Sequence, residues 1–202
     1  MNLISKIKHC ANIMGLSRSN VVVDDSRSHK IVAVIDCILN QNSRDLGAAT
    51  YPAMNKSVVQ LCMQYNVGIL PIPCPEMAFL GLLRNRPKGK SIKQALDTEA
   101  GRQCCREISR KLADKIQDYI KNNNQILAVL GGNTESPGCA VHFLNEPNER
   151  QALAFQSGVL MRELDKELKK REIQIPFRGI RDCNPELMKK DLEWLEKLFG
   201  SC

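Results

Sequence analysis

The stretch Ile31-Val32-Ala33-Val34-Ile35-Asp36-Cys37 decides how the chain is interpreted. Five consecutive apolar residues, most of them β-branched, are typical of a strand that is buried on both faces of a parallel sheet. We therefore predict a strand at 31–36. Similar apolar runs predict further strands at 67–72 and 125–130, and a weaker pattern predicts a fourth at 172–180.

Helical patterns separate these runs and complete an alternating order of strands and helices. Alternation of this kind predicts an α/β fold with a parallel sheet and right-handed crossovers. The expected architecture is a Rossmann-like three-layer α/β/α domain over residues 31–202, with a mainly parallel sheet of about four to five strands. Residues 1–30 are interpreted as an N-terminal extension with a helical stripe at 3–14 and a candidate edge strand at 21–23. Predicted helices cover 54–65, 91–121, 149–171 and 185–199.

Three cysteines come shortly after three of the predicted strands: Cys37, Cys74 and Cys139. The carboxyl ends of parallel strands share one edge of the sheet, and ligands bind outside that edge. Three thiols delivered there would converge on one metal centre, and three thiolates leave one iron of a four-iron cluster without a protein ligand. Ordinary core or loop cysteines are the alternative, because the chain has no Cys-x-x-Cys motif and free cysteine is often buried.

Composition limits the class of protein. The chain has 202 residues, nine cysteines and 43% hydrophobic residues, enough for a substantial core. It shows neither a secretory signal nor an apolar run of membrane-spanning length. We therefore expect a cytoplasmic protein that does not enter a membrane, whose cysteines bind metal or act in catalysis instead of forming disulfides.

The net charge of +7 favours anionic ligands such as nucleotides or RNA. Part of this charge is local, in the segment 84–93, which contains no acid. This segment is either a solvated loop or a phosphate or RNA contact. An aromatic content of 4% argues against a stacking platform for single-stranded nucleic acid.

Four short motifs in order carry a family resemblance. They are Asp36-Cys37-Ile38-Leu39, Arg44-Asp45, Cys74-Pro75-Glu76 and Ser136-Pro137-Gly138-Cys139. The set resembles the thiouracil desulfurase (desulfidase) family, and the resemblance covers about residues 31–145, including the order of the strands. The chain departs from the family pattern at four positions and is interpreted as a divergent member. These positions are Asn40, Leu46, Gly138 and Ala140.

The resemblance implies a [4Fe–4S] cluster bound by Cys37, Cys74 and Cys139. It also implies an enzyme that removes sulfur from a thiolated uracil, either as a free base, as a nucleoside or nucleotide, or carried on RNA. The net charge leans toward a phosphorylated or RNA-borne substrate.

A hydrolytic desulfuration needs a base for water and proton donors for the intermediate. Glu76, two residues after Cys74, is the expected acid and base. Ser136 is expected to hold that base or the developing oxyanion, and Asp45 is a further candidate. The alternatives are a loop cap for Glu76, a turn role for Ser136 and a surface ion pair between Asp45 and Arg44.

Three other functions stay open from the sequence. The first is a redox or sulfur-carrier protein that uses the same cluster, and the second is a metal-free nucleotide-binding module. The third is a dehydratase-type cluster subunit that works with a partner chain. The remaining cysteines are assigned to helix packing (Cys62, Cys104 and Cys105) or considered incidental (Cys10, Cys183 and Cys202).

Overall fold

The computed structural model describes residues 25–143 and 153–202. It contains a sheet of four strands in the order β2-β1-β3-β4, and every neighbouring pair is parallel. This confirms the predicted parallel sheet. The strands are β1 (Lys30–Ile35), β2 (Gly68–Ile72), β3 (Gln125–Gly131) and β4 (Phe177–Gly179).

Helices cover both faces of this sheet. They are α1 (Asp36–Leu39), α2 (Lys56–Gln64), α3 (Pro75–Leu80), α4 (Ile92–Leu96), α5 (Glu99–Lys121), α6 (Val159–Lys169) and α7 (Pro185–Gly200).

The order of the strands decides which face each helix covers. The chain crosses from β1 to β2 in one direction, and from β2 to β3 and on to β4 in the other. Right-handed crossovers then place α2 on one face and both α5 and α6 on the opposite face. The contacts between helices agree with this, because α2 packs with α7, whereas α5 packs with α3, α4 and α6. The predicted three-layer α/β fold is therefore confirmed.

The core is centred on β1, whose residues Val32 to Ile35 are completely buried. β-Branched side chains pack well on such a two-sided strand. By contrast, β2 lies at an edge of the sheet, and this position allows it to include Pro71. A proline cannot donate to the strand ladder, so within sheets it is confined to places such as edge strands.

The strand order creates a topological switch point between β1 and β3. The connections that leave these neighbouring strands run in opposite directions, so a crevice opens outside their carboxyl ends. Cys37 lies in the first turn of α1, directly after β1, and Cys139 lies in the segment after β3. The fold therefore brings two of the three candidate cysteines to the crevice where such sheets bind ligands.

The single helix predicted at 91–121 is wrong, because two helices, α4 and α5, occupy this region. Thr98 begins the second one, since its side chain accepts a hydrogen bond from Gly101 N at 3.2 Å. Gly101 permits a close approach to α4, where a Cβ would lie 2.7 Å from Leu96 O. Apolar periodicity continues across this break and does not reveal it.

Two other predicted boundaries are also wrong. The fourth strand is limited to three residues, and the helix predicted from 149 begins only at Val159, after the N-cap Gly158, so residues 153–158 are not helical. The last helix starts as predicted, because Asn184 accepts a hydrogen bond from Leu187 N at 3.1 Å. The helical stripe at 3–14 and the strand at 21–23 lie outside the described residues, as does most of the predicted N-terminal extension. Within the described ranges, no helix has the length and apolar character needed to cross a membrane.

Candidate functional site

The structure brings the three predicted cysteines to one edge of the sheet. Cys74 is the N-cap residue of α3, directly after β2. Across the crevice, the Cys37 and Cys139 thiols lie close enough to shift each other's pKa. All three are free cysteines. Neighbouring parallel strands have thus delivered their thiols to a shared site, as the strand-end argument predicts.

These two thiols differ in acidity. The interaction with Cys139 lowers the pKa of the Cys37 thiol, and the nearby Arg44 guanidinium lowers it further, against the effect of burial. The same interaction, together with burial, raises the pKa of Cys139 well above its ordinary value. Cys37 is therefore the more acidic thiol of the pair.

Cys74 is buried on the other side of the site. Burial raises the pKa of its thiol to about 11, and the charge of Arg84 acts in the opposite direction. Arg84 Nη2 lies 3.6 Å from Cys74 Sγ. Arg84 itself is 2% exposed, so it is neither a solvated residue nor a phosphate contact, and the expectation for segment 84–93 is wrong at this position.

Glu76 and Ser136 form a polar pair beside the thiols. Ser136 Oγ donates to Glu76 Oε1 at 3.1 Å and lies 3.0 Å from Cys139 Sγ. Glu76 Oε1 also accepts a hydrogen bond from Gly138 N at 3.3 Å. The Glu76 side chain is 12% exposed, so one of its oxygens faces protein donors while water retains limited access to the group. The structure therefore connects two of the three predicted catalytic residues to a candidate ligand thiol.

Glycines allow the loops to approach this closely. A Cβ at Gly138 would lie 2.5 Å from Pro75 Cγ and 3.4 Å from Glu76 Oε1. A Cβ at Gly132 would lie 2.8 Å from Cys139 Sγ. Real Cβ atoms do not tolerate contacts below 3 Å, so these two positions require glycine for the loop after β3 to reach α3 and the thiols.

Asp45 is not part of this polar group. Its carboxylate accepts a local hydrogen bond from Leu46 N at 3.0 Å. The alternative that Asp45 forms a surface pair with Arg44 is also wrong, because Arg44 pairs with Asp182 at 2.9 and 2.7 Å. Nothing in the described contacts links Asp45 to the cysteines.

Asp182 is a central residue of the site that the sequence analysis missed. Its side chain is completely buried and accepts from Arg44, from Asn133 Nδ2 at 2.8 Å and, more weakly, from Asn55 Nδ2 at 3.5 Å. It ties the segment after β4 to the loops after β1 and β3. The sequence contained a signal for this role, because Asp182 comes shortly after the fourth predicted strand and is therefore expected at the same sheet edge as the cysteines.

A cavity of about 310 Å³ opens beside Ser136. Lys93, His142 and Arg162 contribute cationic or polar groups, and the two acids Asp97 and Glu135 also line it. The Arg162 guanidinium carbon lies 4.8 Å from the centre of the Phe155 ring, and Phe155 is 80% exposed. Among the described residues, the buried Nε of Arg162 has no hydrogen-bond partner. The cavity thus places a guanidinium group and an exposed aromatic ring next to the thiol site.

The thiol arrangement does not match a site for a single metal ion. Across the ranges 25–143 and 153–202, no group of three or more cysteine, histidine or acidic side chains converges closely enough to hold one ion. In an iron–sulfur cluster each thiolate binds a different iron, so the ligands need not meet at one point. Three free thiols that follow three neighbouring strands, with Gly132 packed against the Cys139 sulfur, fit the donor set of such a cluster.

Fold and site together define an α/β protein with three thiols at one edge of a parallel sheet. The chain is 31% identical over 149 residues to the uncharacterized protein MJ0003 of Methanocaldococcus jannaschii. The aligned residues make up 74% of this chain and 84% of that protein. It belongs to the family of that archaeal protein. The chain matches no family model. It also matches no solved structure.

Proposed function

We propose that this chain is a [4Fe–4S]-dependent desulfurase that removes sulfur from a thiolated uracil derivative. The observation that carries the proposal is the placement of Cys37, Cys74 and Cys139 at one edge of the sheet, next to the hydrogen-bonded pair of Glu76 and Ser136. The reaction replaces the thiocarbonyl sulfur of the substrate by oxygen from water and releases sulfide, so it needs no net electron transfer. Free cysteines in the described residues fit a reducing compartment, and we propose a cytoplasmic location.

Cys37, Cys74 and Cys139 would hold the cluster. When bound, it supplies an iron without a protein ligand, a soft Lewis acid suited to the sulfur of a thiocarbonyl group. Each thiol must lose its proton to bind iron. The lowered pKa of Cys37 makes its thiol the easiest of the three to deprotonate, whereas the raised pKa values of Cys74 and Cys139 make the loss of their protons depend on metal binding.

Glu76 is the proposed base for the attacking water. Its Oε1 accepts from Ser136 Oγ and Gly138 N, and its Oε2 faces the guanidinium of Arg84 at 3.7 Å. Two hydrogen-bond donors therefore face Oε1 and a cation faces Oε2, which fixes a carboxylate that can take a proton from water. In the second half of the reaction Glu76 can return that proton to the departing sulfur.

Ser136 is the proposed positioning group for this base. Its hydroxyl lies between Glu76 Oε1 and Cys139 Sγ, and it accepts a hydrogen bond from Cys139 N at 3.3 Å. A hydroxyl fixed on three sides holds the carboxylate in one orientation next to the thiols. Its single O–H, which donates to Glu76 in this arrangement, can turn toward oxygen charge that develops at the same place once Glu76 has taken up a proton.

The cavity beside Ser136 supports a phosphorylated substrate over the free base. Its volume of about 310 Å³ falls in the range of small-ligand sites. Lys93 and Arg162 provide cations for a phosphate, and Asp97, an acid in the lining, pairs with Arg102 at 3.4 Å. The exposed ring of Phe155 offers a planar surface for a base or sugar.

The proposal is tested by anaerobic reconstitution of the full chain with iron and sulfide. Loss of the thiocarbonyl absorbance is then followed with 2-thiouracil, 4-thiouridine and 4-thiouridine monophosphate. We expect turnover that is fastest with the phosphorylated compound. Glu76→Ala should keep its iron and lose turnover, whereas Glu196→Ala, at an exposed position of α7, should change neither.

Two results would contradict this function. Iron-loaded protein that shows a reversible one-electron signal and no turnover would indicate a redox protein. Normal turnover by Glu76→Ala would remove the base from the mechanism.

A further inference from the structure

Arg84 is a buried arginine in an otherwise exposed loop. Every other residue of the segment 81–91 is exposed, whereas Arg84 is 2% exposed. Its backbone has a φ of 51°, in the left-handed region that non-glycine residues rarely adopt. Inserting this side chain therefore costs both backbone strain and the desolvation of a charge.

One part of the guanidinium anchors the loop. Arg84 Nη1 donates to Gly81 O at 3.1 Å and to Leu82 O at 2.9 Å, and Nη2 donates to Ser43 O at 2.6 Å. These three neutral carbonyls join the loop to itself and to the segment after α1. They satisfy donors but do not neutralise the charge.

The other part of the guanidinium faces the thiol site. Arg84 Nε has no hydrogen-bond partner among the described residues and lies 3.7 Å from Glu76 Oε2. Nη2 lies 3.6 Å from Cys74 Sγ. A residue that only anchored the loop would not need a charge directed at the carboxylate and the sulfur.

We infer that Arg84 is a positioning residue that fixes the Glu76 carboxylate and the Cys74 sulfur through its buried charge. The inference rests on the proposed function, since it assigns Arg84 a role toward the base and one of the cluster ligands. Charge and hydrogen bonds near the sulfurs set the potential of an iron–sulfur cluster. Arg84 therefore also makes the potential of the loaded protein more positive.

The first test uses the iron-free full chain and does not depend on the activity. Thermal unfolding is measured for Arg84→Gln, Glu76→Gln and the double variant. If the charge of Arg84 holds Glu76, the double variant loses less stability than the two single losses added together. Arg84→Gln combined with Glu99→Gln, at an exposed position of α5, serves as the additive control. Additive losses for Arg84 and Glu76 would overturn the inference.

The second test uses the iron-loaded protein. Arg84→Gln should lower kcat by about 10- to 100-fold, the usual effect of losing a partner of a metal ligand, with KM nearly unchanged. Its reduction potential should become more negative, and Arg84→Lys should restore part of both. An Arg84→Gln variant that loses stability but keeps the kcat and potential of the unsubstituted protein would reduce Arg84 to a loop anchor.

The two tests separate this inference from the proposed function. If the unsubstituted chain takes up no iron, the proposed function fails and the coupling between Arg84 and Glu76 still decides whether the contact exists. If the chain is loaded and active, the kcat and potential of the Arg84 variants decide the role of Arg84 alone.

Discussion

Two kinds of buried thiol can be compared within this one chain. Cys62 and Cys105 lie in the hydrophobic core, where burial raises the pKa of their thiols to about 11 and about 12. Cys139 belongs to the same buried cluster, yet its Sγ lies 3.0 Å from Ser136 Oγ and its thiol interacts with Cys37. Burial is common to both kinds, so it does not identify the functional thiols.

The polar partners make the difference. The thiols at the sheet edge are surrounded by Arg44, Arg84, Glu76 and Ser136, whose charges and hydrogen bonds change their acidity in opposite directions. The core thiols respond mainly to burial. A cysteine with buried polar partners at a sheet edge is therefore the better candidate for chemistry than a cysteine that is only buried.

The largest expected effect comes from removing the edge thiols. Alanine at Cys37, Cys74 or Cys139 should abolish both turnover and stable iron binding, because a cluster then lacks one of its ligands. Alanine at Cys62 or Cys105 should keep both, at a modest cost in stability. Iron content and thiouracil turnover of the five single variants check this. Equal iron loss in the core variants would remove the distinction between the two kinds of thiol.

A second comparison involves two completely buried carboxylates, Asp182 and Asp191. Asp182→Ala leaves Arg44, whose side chain is 7% exposed, without its partner, and should cost roughly 3–5 kcal/mol of unfolding free energy. It should also lower turnover, because Arg44 acts on Cys37.

Asp191 serves as the matched control. Its partners Arg178 and Arg181 have more access to water, with side chains 17% and 24% exposed, so Asp191→Ala should cost less. Chemical denaturation and turnover at saturating substrate measure both effects. The same loss of turnover in both variants would show that Asp182 acts on stability alone.

Gly138→Ala should have an intermediate effect. The added Cβ would press on Pro75 and displace Glu76, and a displacement of about 1 Å near the chemistry can lower turnover about 100-fold. Gly200→Ala adds a Cβ that meets Tyr65 at an ordinary distance of 3.6 Å and should leave turnover unchanged. Turnover of both variants at equal iron content checks the comparison. A fully active Gly138→Ala variant would mean that Glu76 does not depend on this close packing.

The smallest expected effect is on stability at alkaline pH. Burial raises the pKa of Cys62 from 9.0 to about 11, so the unfolded chain loses this proton first. The stabilising contribution is therefore present below about pH 9 and decreases as the pH rises toward 11. Cys62→Ala should reduce this decrease by roughly 1–2 kcal/mol. Denaturant unfolding of the iron-free protein at pH 8 to 11 measures it, and identical slopes with and without Cys62 would contradict it.

The sequence predicts the parts of the site that follow from strand ends. Cys37, Cys74 and Cys139 come after buried strands, and parallel pairing is sufficient to bring them to one edge. The pairing of Ser136 with Glu76 was expected from their closeness to these cysteines. Much of the site can thus be predicted from which residues follow the strands and which lie close to the cysteines in the sequence.

Residues that depend on tertiary packing could not be predicted in this way. Arg84 belongs to a run of basic residues whose composition indicates a solvated loop, and only the three-dimensional structure shows that this one side chain is buried. Arg44 pairs with Asp182, 138 residues away, instead of the neighbouring Asp45. The helix break at Thr98 depends on close packing of Gly101 against α4, which no periodic pattern reports.

The most direct test of the central claim is the metal content of the full chain after anaerobic reconstitution. If the three edge thiols hold a [4Fe–4S] cluster, the protein should be brown and contain about four iron and about four sulfide ions per chain. The triple alanine variant at Cys37, Cys74 and Cys139 should stay colourless. A colourless unsubstituted protein with less than about one iron per chain, or a triple variant that binds as much iron, would contradict the account.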